Sequence, residues 1–575
     1  MIETSQAYVP PAFERGERAW GWGVNLYALR SKRNWGIGDF TDLAALVGLA
    51  RAFGADLVGV NPLHALHWTA PEGASPYSPT SRFFLNPLYI DVATIPDFDL
   101  NGAGGAFLMQ DHVLDDLVRA RENARVDYTL VASLKRRGLE IAYESYRSNA
   151  SAARAEAFRD FALKGGERLE RFAWYEALNE HFSLDEPGAF GWLNWPQEFQ
   201  SPGSPAVKRL AQERGGRVGF FIYLQFVAHE QLAAVALDAR ALGIGLYCDL
   251  AVGVDPNSAD VWSDRERYVL GESIGAPPDP LGPLGQNWGL APLDVTKIER
   301  DGGAFFRELL RANMEHAGAL RIDHVMALRR QFRIPRGSLA AGGTYVDYPF
   351  DLLLEIAAEE SRRARCLVVG EDLGTVPDGF RERMASERIL SYRLLLFERD
   401  EHGEFIAPAA YPVDALATAT THDLPTMAGW PLGRDIDVRA RLGHLDAHGA
   451  RAAHAERRVE ATRLLRALAR EGLMDHDTVE RMHRTIDAGA TEPAAYEPLV
   501  SAAYGFLART PARVVLVQFD DAAGELDQVN MPGTSLEYPN WRRKNRIALE
   551  DLGRHEQFAR LAGTVRASVR KEPVP

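Results

Sequence analysis

A chain of 575 residues, 46% hydrophobic and 25% charged, has an ordinary soluble balance and enough apolar surface for a large core. Its formal net charge of -14, with acid and base interspersed, argues against nucleic acid as the main partner, because neutralising phosphates needs a basic surface; it suits a neutral ligand. The two cysteines, Cys248 and Cys366, fall in expected buried strands and read as small hydrophobes, not as a disulfide framework, a metal site or a thiol catalyst.

The N-terminus begins acidic without an apolar leader core, and no run of eighteen apolar residues occurs, so a cytoplasmic enzyme with no membrane partner is expected. Pro10 and Pro11 predict a loose arm over residues 1–19. WGWGVNLYALRS at 20–31 then reads as a strand. RNWGIGDFTDLAALVGLARAFG at 33–54 reads as a glycine-rich loop running into a helix capped by Asp39 or Thr41, and DLVGVNPLHAL at 56–66 as the next strand. The strand, loop, helix, strand order opens a parallel α/β layout.

From 93 to about 240 the pattern turns helical, with pieces near 113–125, 130–147, 151–182 and 218–242. Strand patterning resumes at 243–254, so the chain is divided into an arm and two strands (1–92), an inserted helical subdomain (93–240) and the remaining strands (241–575). A Gly- and Pro-rich stretch at 255–294 reads as a long loop, too long for a plain connection and so expected to be functional. Strands centre near 24, 58, 246, 321, 368, 394, 418 and 516. Eight of them with helices between predict an α/β fold, a closed (β/α)8 TIM barrel, whose chemistry sits at the carboxyl ends of its strands. No GxGxxG or GxxxxGK[ST] follows the first strand, which disfavours a dinucleotide or P-loop sheet.

On that layout Asp323, Glu371 and Asp423 end strands four, five and seven and converge on one mouth. In Ala319-Leu320-Arg321-Ile322-Asp323-His324, strand alternation points Arg321 and Asp323 one way and Ile322 and His324 the other. Two carboxyls flanking a bond are the equipment for glycosidic cleavage. Asp323, beside Arg321, is expected to have a lowered pKa and act as nucleophile. Glu371, in an apolar frame, is expected to be held protonated as the acid. Asp423, His324 and His422 are expected to bind sugar hydroxyls.

RIDH at 321–324, GEDLG at 370–374 and THDLP at 421–425 resemble the signature blocks of the 4-alpha-glucanotransferases, the amylomaltases of glycoside hydrolase family 77. So do NWGIGDF at 34–40, SPYSP at 75–79, SADVW at 258–262, GQNWG at 285–289 and VNMPGT at 529–534. The resemblance runs in order over roughly residues 20 to 545 and is to the bacterial maltodextrin-processing branch. It implies a retaining mechanism in which Asp323 forms a covalent glycosyl enzyme, Glu371 is acid and then base, and Asp423 stabilises the transition state. It further implies that Asp249, Arg321, His324 and His422 bind the sugar at the cleaved bond, with Tyr77 as its stacking platform. Trp288, Phe397 and Asn530 would line the acceptor side. Maltooligosaccharides or other alpha-1,4-glucans are the implied substrates, and no metal or organic cofactor is implied.

Two positions depart from the family pattern. Ala291 stands where a proline is common, which is expected to loosen its loop, and Phe332-Arg333 stand where two aromatics often precede Ile-Pro, which is expected to weaken stacking with a distant glucose. The alternatives are a retaining alpha-glucan hydrolase with the same three carboxylates, a binding protein that has lost its chemistry, and a metal-dependent barrel hydrolase. The last would call for HxH or HExxH at strand ends, and neither motif is there.

Overall fold

The computed structural model describes residues 6–185, 190–278 and 284–570. Eight parallel strands close into a barrel: β1 (Ala19–Val24), β2 (Leu57–Val60), β3 (Gly245–Leu250), β4 (Ala319–Ile322), β5 (Leu367–Gly370), β6 (Leu390–Leu394), β7 (Ala415–Thr418) and β8 (Val514–Gln518). Each pairs with its neighbours in sequence, and β1 closes the ring against β8. The expected barrel is therefore present, and every strand lies within a few residues of its predicted position.

Alternation along the strands separates two apolar sets. Leu57, Tyr247, Ala319, Val369, Tyr392, Leu416, Val514 and Leu516 fill the lumen. Val58, Leu246, Ala417 and Val515, and on the other side Leu320 and Val368, pack outward against helices. Gly21 is required by close approach, since a Cβ there would lie 2.2 Å from the Leu57 carbonyl oxygen. The helix Phe40–Phe53 starts at Asp39, whose carboxylate accepts from the Asp42 N–H in a capping box.

The N-terminal arm departs from expectation. Among the described residues it contains the helix Pro11–Glu14, because proline at the first helical position is preorganised for the helix and gives up only an N–H that has no partner there. Phe13 is 2% exposed and joins the lumen set, closing the N-terminal end of the barrel, while Arg513 donates to its carbonyl at 2.6 Å.

Between β2 and β3 the chain runs through the helices Asp111–Glu122, Tyr128–Asn149, Ala152–Asp185, which is kinked at Gly166, Pro205–Glu213 and Gly215–Ala239. The last is long and apolar enough by composition to cross a membrane. Here it packs on Phe40–Phe53 and Ala152–Asp185, burying Phe220, Phe221, Leu224 and Phe226 in the core shared with β1 and β2. It leads directly into β3, so it serves as an outer-layer helix of the barrel, although the sequence reading groups it with the insertion.

The stretch at 255–294 also differs. Its residues 279–283 lie outside the described residues, but the rest is built, with a helix Ala259–Ser263 and strands Glu272–Ala276 and Gln286–Leu290. These two strands join Arg330–Pro335 and Thr344–Asp347 in a four-stranded antiparallel sheet that stands beside the barrel mouth. Glycines interrupt the apolar alternation of the first pair, which hides the strands from a periodicity reading.

Replacing Phe13 by Ala removes the plug. Phe13→Ala is expected to lower unfolding stability by about 3 kcal/mol, the ordinary cost of a buried phenyl cavity, read as a fall in the denaturant midpoint. An unchanged midpoint would mean that the arm does not close the barrel.

Candidate functional site

Arg321 sits on β4 directly opposite Asp249 on β3, and its Nη1 donates to both carboxylate oxygens at 2.8 Å. Its Nη2 lies 2.8 Å from Asp323 Oδ1 and 3.8 Å from Glu371 Oε2. One guanidinium thus gathers three carboxylates at the carboxyl ends of β3, β4 and β5. Asp323 continues the ladder, its N–H donating to the Leu250 carbonyl at 3.0 Å. Both oxygens of Glu371 accept backbone N–H groups, from His324 and Leu373, at 2.8 Å each.

Asp423 faces this group from the segment after β7. Asn530 donates to its Oδ1 at 2.6 Å, and His422 Nε2 lies 3.3 Å from its Oδ2. The Asn530 N–H donates to the His422 carbonyl at 3.0 Å, fixing one segment on the other. Tyr77 donates to Asp249 Oδ2 at 2.6 Å and stacks on the His422 ring, centroids 4.7 Å apart. Trp541 packs against both rings, at 5.5 Å from Tyr77 and 5.0 Å from His422.

All of these line one cleft of about 1300 Å³ except Asp249, which lies just beneath it in a small cavity shared with Tyr77, Arg321 and His422. Trp288 and Phe397 line the same cleft. His324 does so too, its ring meeting Trp288 edge to face at 5.1 Å, contrary to the expected outward direction. The reason is local: β4 ends at Ile322, and His324 takes a left-handed conformation (φ 45°), which turns its side chain back to the mouth. Ile322 does face outward, into the helix-side core.

Electrostatics revise a second expectation. Asp323 is not lowered by Arg321 but raised to about 6: burial is the largest cause, Asp249 and Glu371 add to it, and Arg321 pulls back only in part. A cation divided among three acids cannot hold each of them down. Glu371 is raised mainly by burial, against Arg321 and its two backbone N–H donors. For Asp423 burial alone would raise the carboxyl, but His422 and Asn530 bring it below its ordinary value; His422 is raised by the same contact, against its own burial.

The two departures from the family pattern also look different in place. The Ala291 N–H donates to the Val254 carbonyl at 3.0 Å, a bond that proline could not make, so the loop is tied rather than loosened. Arg333 is buried away from the cleft, donating to the Leu293 carbonyl and the Tyr348 hydroxyl at 2.6 Å, while Phe332 lines the cleft beside Tyr345.

Trp541 and His67 are among the cleft residues that the sequence motifs leave out. Trp541, in PNWRRKN, was an aromatic in a polar run close after VNMPGT, which was a usable signal. His67 was not singled out at all; it is 8% exposed in the cleft wall, neither ring nitrogen has a hydrogen-bond partner, and the Asp255 carboxylate is 3.9 Å away.

The family model for 4-alpha-glucanotransferase, glycoside hydrolase family 77, matches residues 24–549. The 4-alpha-glucanotransferase of Haemophilus influenzae is 38% identical over 552 residues, covering 95% of this chain and 78% of that one. The enzyme of the same name from Mycobacterium tuberculosis is 37% identical over 576 residues, covering 96% and 75%. Among solved structures, the amylomaltase from Corynebacterium glutamicum superposes with a TM-score of 0.81 at 30% identity, over 97% of this chain and 77% of that one. The amylomaltase from Streptococcus agalactiae, solved with acarbose, shares the fold at a TM-score of 0.76 and 20% identity, over 97% of this chain and 100% of that one. With its barrel, its ordered motifs and these matches in agreement, the chain belongs to the 4-alpha-glucanotransferase family, glycoside hydrolase family 77.

Proposed function

We propose that this protein is a retaining 4-alpha-glucanotransferase that moves alpha-1,4-glucan segments between maltooligosaccharides, with Asp323 as nucleophile, Glu371 as acid and base, and Asp423 as stabiliser. The observation that carries the role assignment is the shared Arg321 anchor. Asp323 Oδ1 and Glu371 Oε2, at 2.8 and 3.8 Å from one nitrogen, are at most about 6.6 Å apart, a spacing that accommodates the close approach of a retaining pair.

In the first step an Asp323 oxygen attacks C1 of the donor sugar as the C1–O4 bond breaks, and Glu371 gives its proton to the departing O4. Arg321 keeps its pairing with Asp249 when the Asp323 charge is consumed, so the cation is never stranded in the cleft. In the second step Glu371 takes the proton of an acceptor 4-hydroxyl, whose oxygen attacks C1 and releases Asp323. Asp423, kept ionised by His422 and Asn530, binds hydroxyls of the distorted ring and favours positive charge at C1. Tyr77 offers its ring to the sugar, and Trp288 and Phe397 offer apolar faces to the acceptor. A cytoplasmic location belongs to the same proposal; the two free thiols, Cys366 buried and Cys248 half-buried, are compatible with a reducing compartment.

Incubation with maltotriose tests the reading. A ladder of longer and shorter glucans is expected, whereas maltose and glucose without longer products would make the enzyme a hydrolase. Asp323→Asn is expected to cut turnover by at least about a thousandfold while the circular dichroism spectrum is unchanged; near-normal turnover would overturn the nucleophile assignment.

The pH dependence follows from burial. The nucleophile must be ionised, and Asp323 is raised to about 6, so kcat/KM is expected to fall as pH drops through about 6. The alkaline limb reports loss of the Glu371 proton and should vanish in Glu371→Gln assayed with a donor whose leaving group needs no protonation. The two apparent pKa values belong to the coupled cluster. A flat profile between pH 5 and 7 would contradict the assignment.

The unpaired nitrogens of His67 call for a hydroxyl partner from a bound glucan. His67→Phe, which keeps the ring and removes both nitrogens, is expected to raise KM for maltooligosaccharide donors by roughly five- to tenfold, the worth of a lost hydrogen bond, with kcat within about twofold. Unchanged KM for donors of every length would leave His67 outside the glucan path.

A further inference from the structure

A second group of ligand-type side chains lies well away from the cleft. His229 projects from the helix Gly215–Ala239, and Glu315 and His316 follow the helix Ala304–Met314 just before β4. His316 Nε2 and His229 Nδ1 are 3.1 Å apart, and one ligand atom from each of His229, Glu315 and His316 lies within 4.8 Å of the other two. Among the described residues this is the one group of three or more His, Cys, Asp or Glu with such convergence.

We propose that His229, Glu315 and His316 form a binding site for a borderline transition dication, zinc being the reference case. Zinc holds imidazole nitrogens at about 2.0–2.1 Å, so two of its ligands stand about 2.9 Å apart at a right angle and about 3.3 Å apart at the tetrahedral angle. The observed spacing lies between these values. Glu315 is exposed and offers a carboxylate oxygen within 4.8 Å of an imidazole nitrogen of each histidine. Its carboxylate supplies the negative charge that two neutral imidazoles lack.

Two further features favour a cation. The site caps the C-terminal end of an eleven-residue helix, where unpaired carbonyls carry partial negative charge. Both rings are half-buried, and the His229 ring packs on Phe161 at 5.4 Å, so the imidazoles are held in place before any ion arrives. Arg240 is a nearby opposing charge. Oxygen-seeking magnesium or calcium is not expected, because two of the three donors are imidazoles.

The site joins the helix that feeds β3 to the turn that feeds β4. It precedes β4, whereas Asp323 follows it, so the ion sits at the opposite end of the strand from the glucan chemistry. Its effect is to staple two adjacent units of the barrel.

Titration of the chelator-stripped full-length protein with zinc chloride, followed by calorimetry, tests this. One ion per chain with a dissociation constant at or below about 10 μM is expected, together with a higher melting temperature in its presence. Magnesium chloride should give neither. His316→Ala and His229→Gln, each checked for maltotriose turnover equal to the parent, should weaken binding by at least about tenfold, the loss seen even for outer-shell partners. Absence of a stoichiometric ion in the parent would reduce the ring pair to a hydrogen bond and overturn the proposal. So would a stoichiometric ion retained in both variants, since it would lie elsewhere. Failure of the maltotriose assay in the parent would bear on the glucan reading alone.

Discussion

The site depends on how one buried guanidinium is divided. Arg321 is 8% exposed and pairs with Asp249 through both oxygens while also meeting Asp323 and, at longer range, Glu371. Burying a carboxylate alone is expensive, and burying three without a cation would drive them to take up protons. Burying the arginine without acids would be equally unfavourable. The strand register solves both at once, because β3 and β4 place Asp249 and Arg321 opposite each other. In the proposed mechanism Asp323 is then the partner that can be given up: a bond to a sugar carbon would neutralise it while Asp249 still holds the cation. The same sharing explains why Asp323 is raised and not lowered, since burial outweighs one third of a guanidinium.

Around this floor the other groups are arranged by separate parts of the chain. Asp423 takes its charge state from His422 and Asn530, contributed by the segments after β7 and β8. Tyr77, from the segment after β2, ties the aromatic wall to the ionic floor, since its hydroxyl reaches Asp249 while its ring stacks on His422. Trp541 backs both rings. A sugar needs an apolar face to lie on and polar groups at its rim, and the Tyr77, His422 and Asp423 series offers both within one contact chain.

The barrel was legible because its strands are apolar runs bounded by turn residues, as in Cys366-Leu367-Val368-Val369 and Ala512-Arg513-Val514-Val515-Leu516. Burial on both faces leaves such runs little alternative. The strand-end acids were legible for the same reason, since a charge at the end of an apolar run stands out. What was not legible depended on single backbone or packing choices. Pro11 reads as a breaker, yet at the first helical position it starts the turn that carries Phe13 into the lumen. His324 reads as the next residue of an alternating strand, yet the strand has already ended and a left-handed turn reverses its direction. Glu272–Ala276 and Gln286–Leu290, which pair with each other, carry glycines that read as loop, while the pairing of Glu272–Ala276 with Arg330–Pro335 is long-range. His67 carries no signal at all, because one histidine in HALHW has no period to belong to.

Where hydrolysis and transfer part company is set by the walls and not by the floor. In the proposed mechanism both reactions share the attack by Asp323 and the proton held by Glu371, so nothing in the ionic group would distinguish water from a sugar hydroxyl. The distinction requires a surface that holds an acceptor glucose against the intermediate and leaves water no equally good position. On the proposed reading that surface would come from cleft-lining residues on elements outside the barrel: Trp288 on the antiparallel sheet, Phe332 and Tyr345 on its next strands, Phe397 after β6 and Asn530 after β8. Arg333 and Ala291 belong to the same sheet and its exit, one tying it to Tyr348 and Leu293 and the other to Val254. On the proposed reading, hydrogen bonds that tie that sheet down beside the mouth are the physical route by which residues that line no cleft would bear on which nucleophile reaches C1.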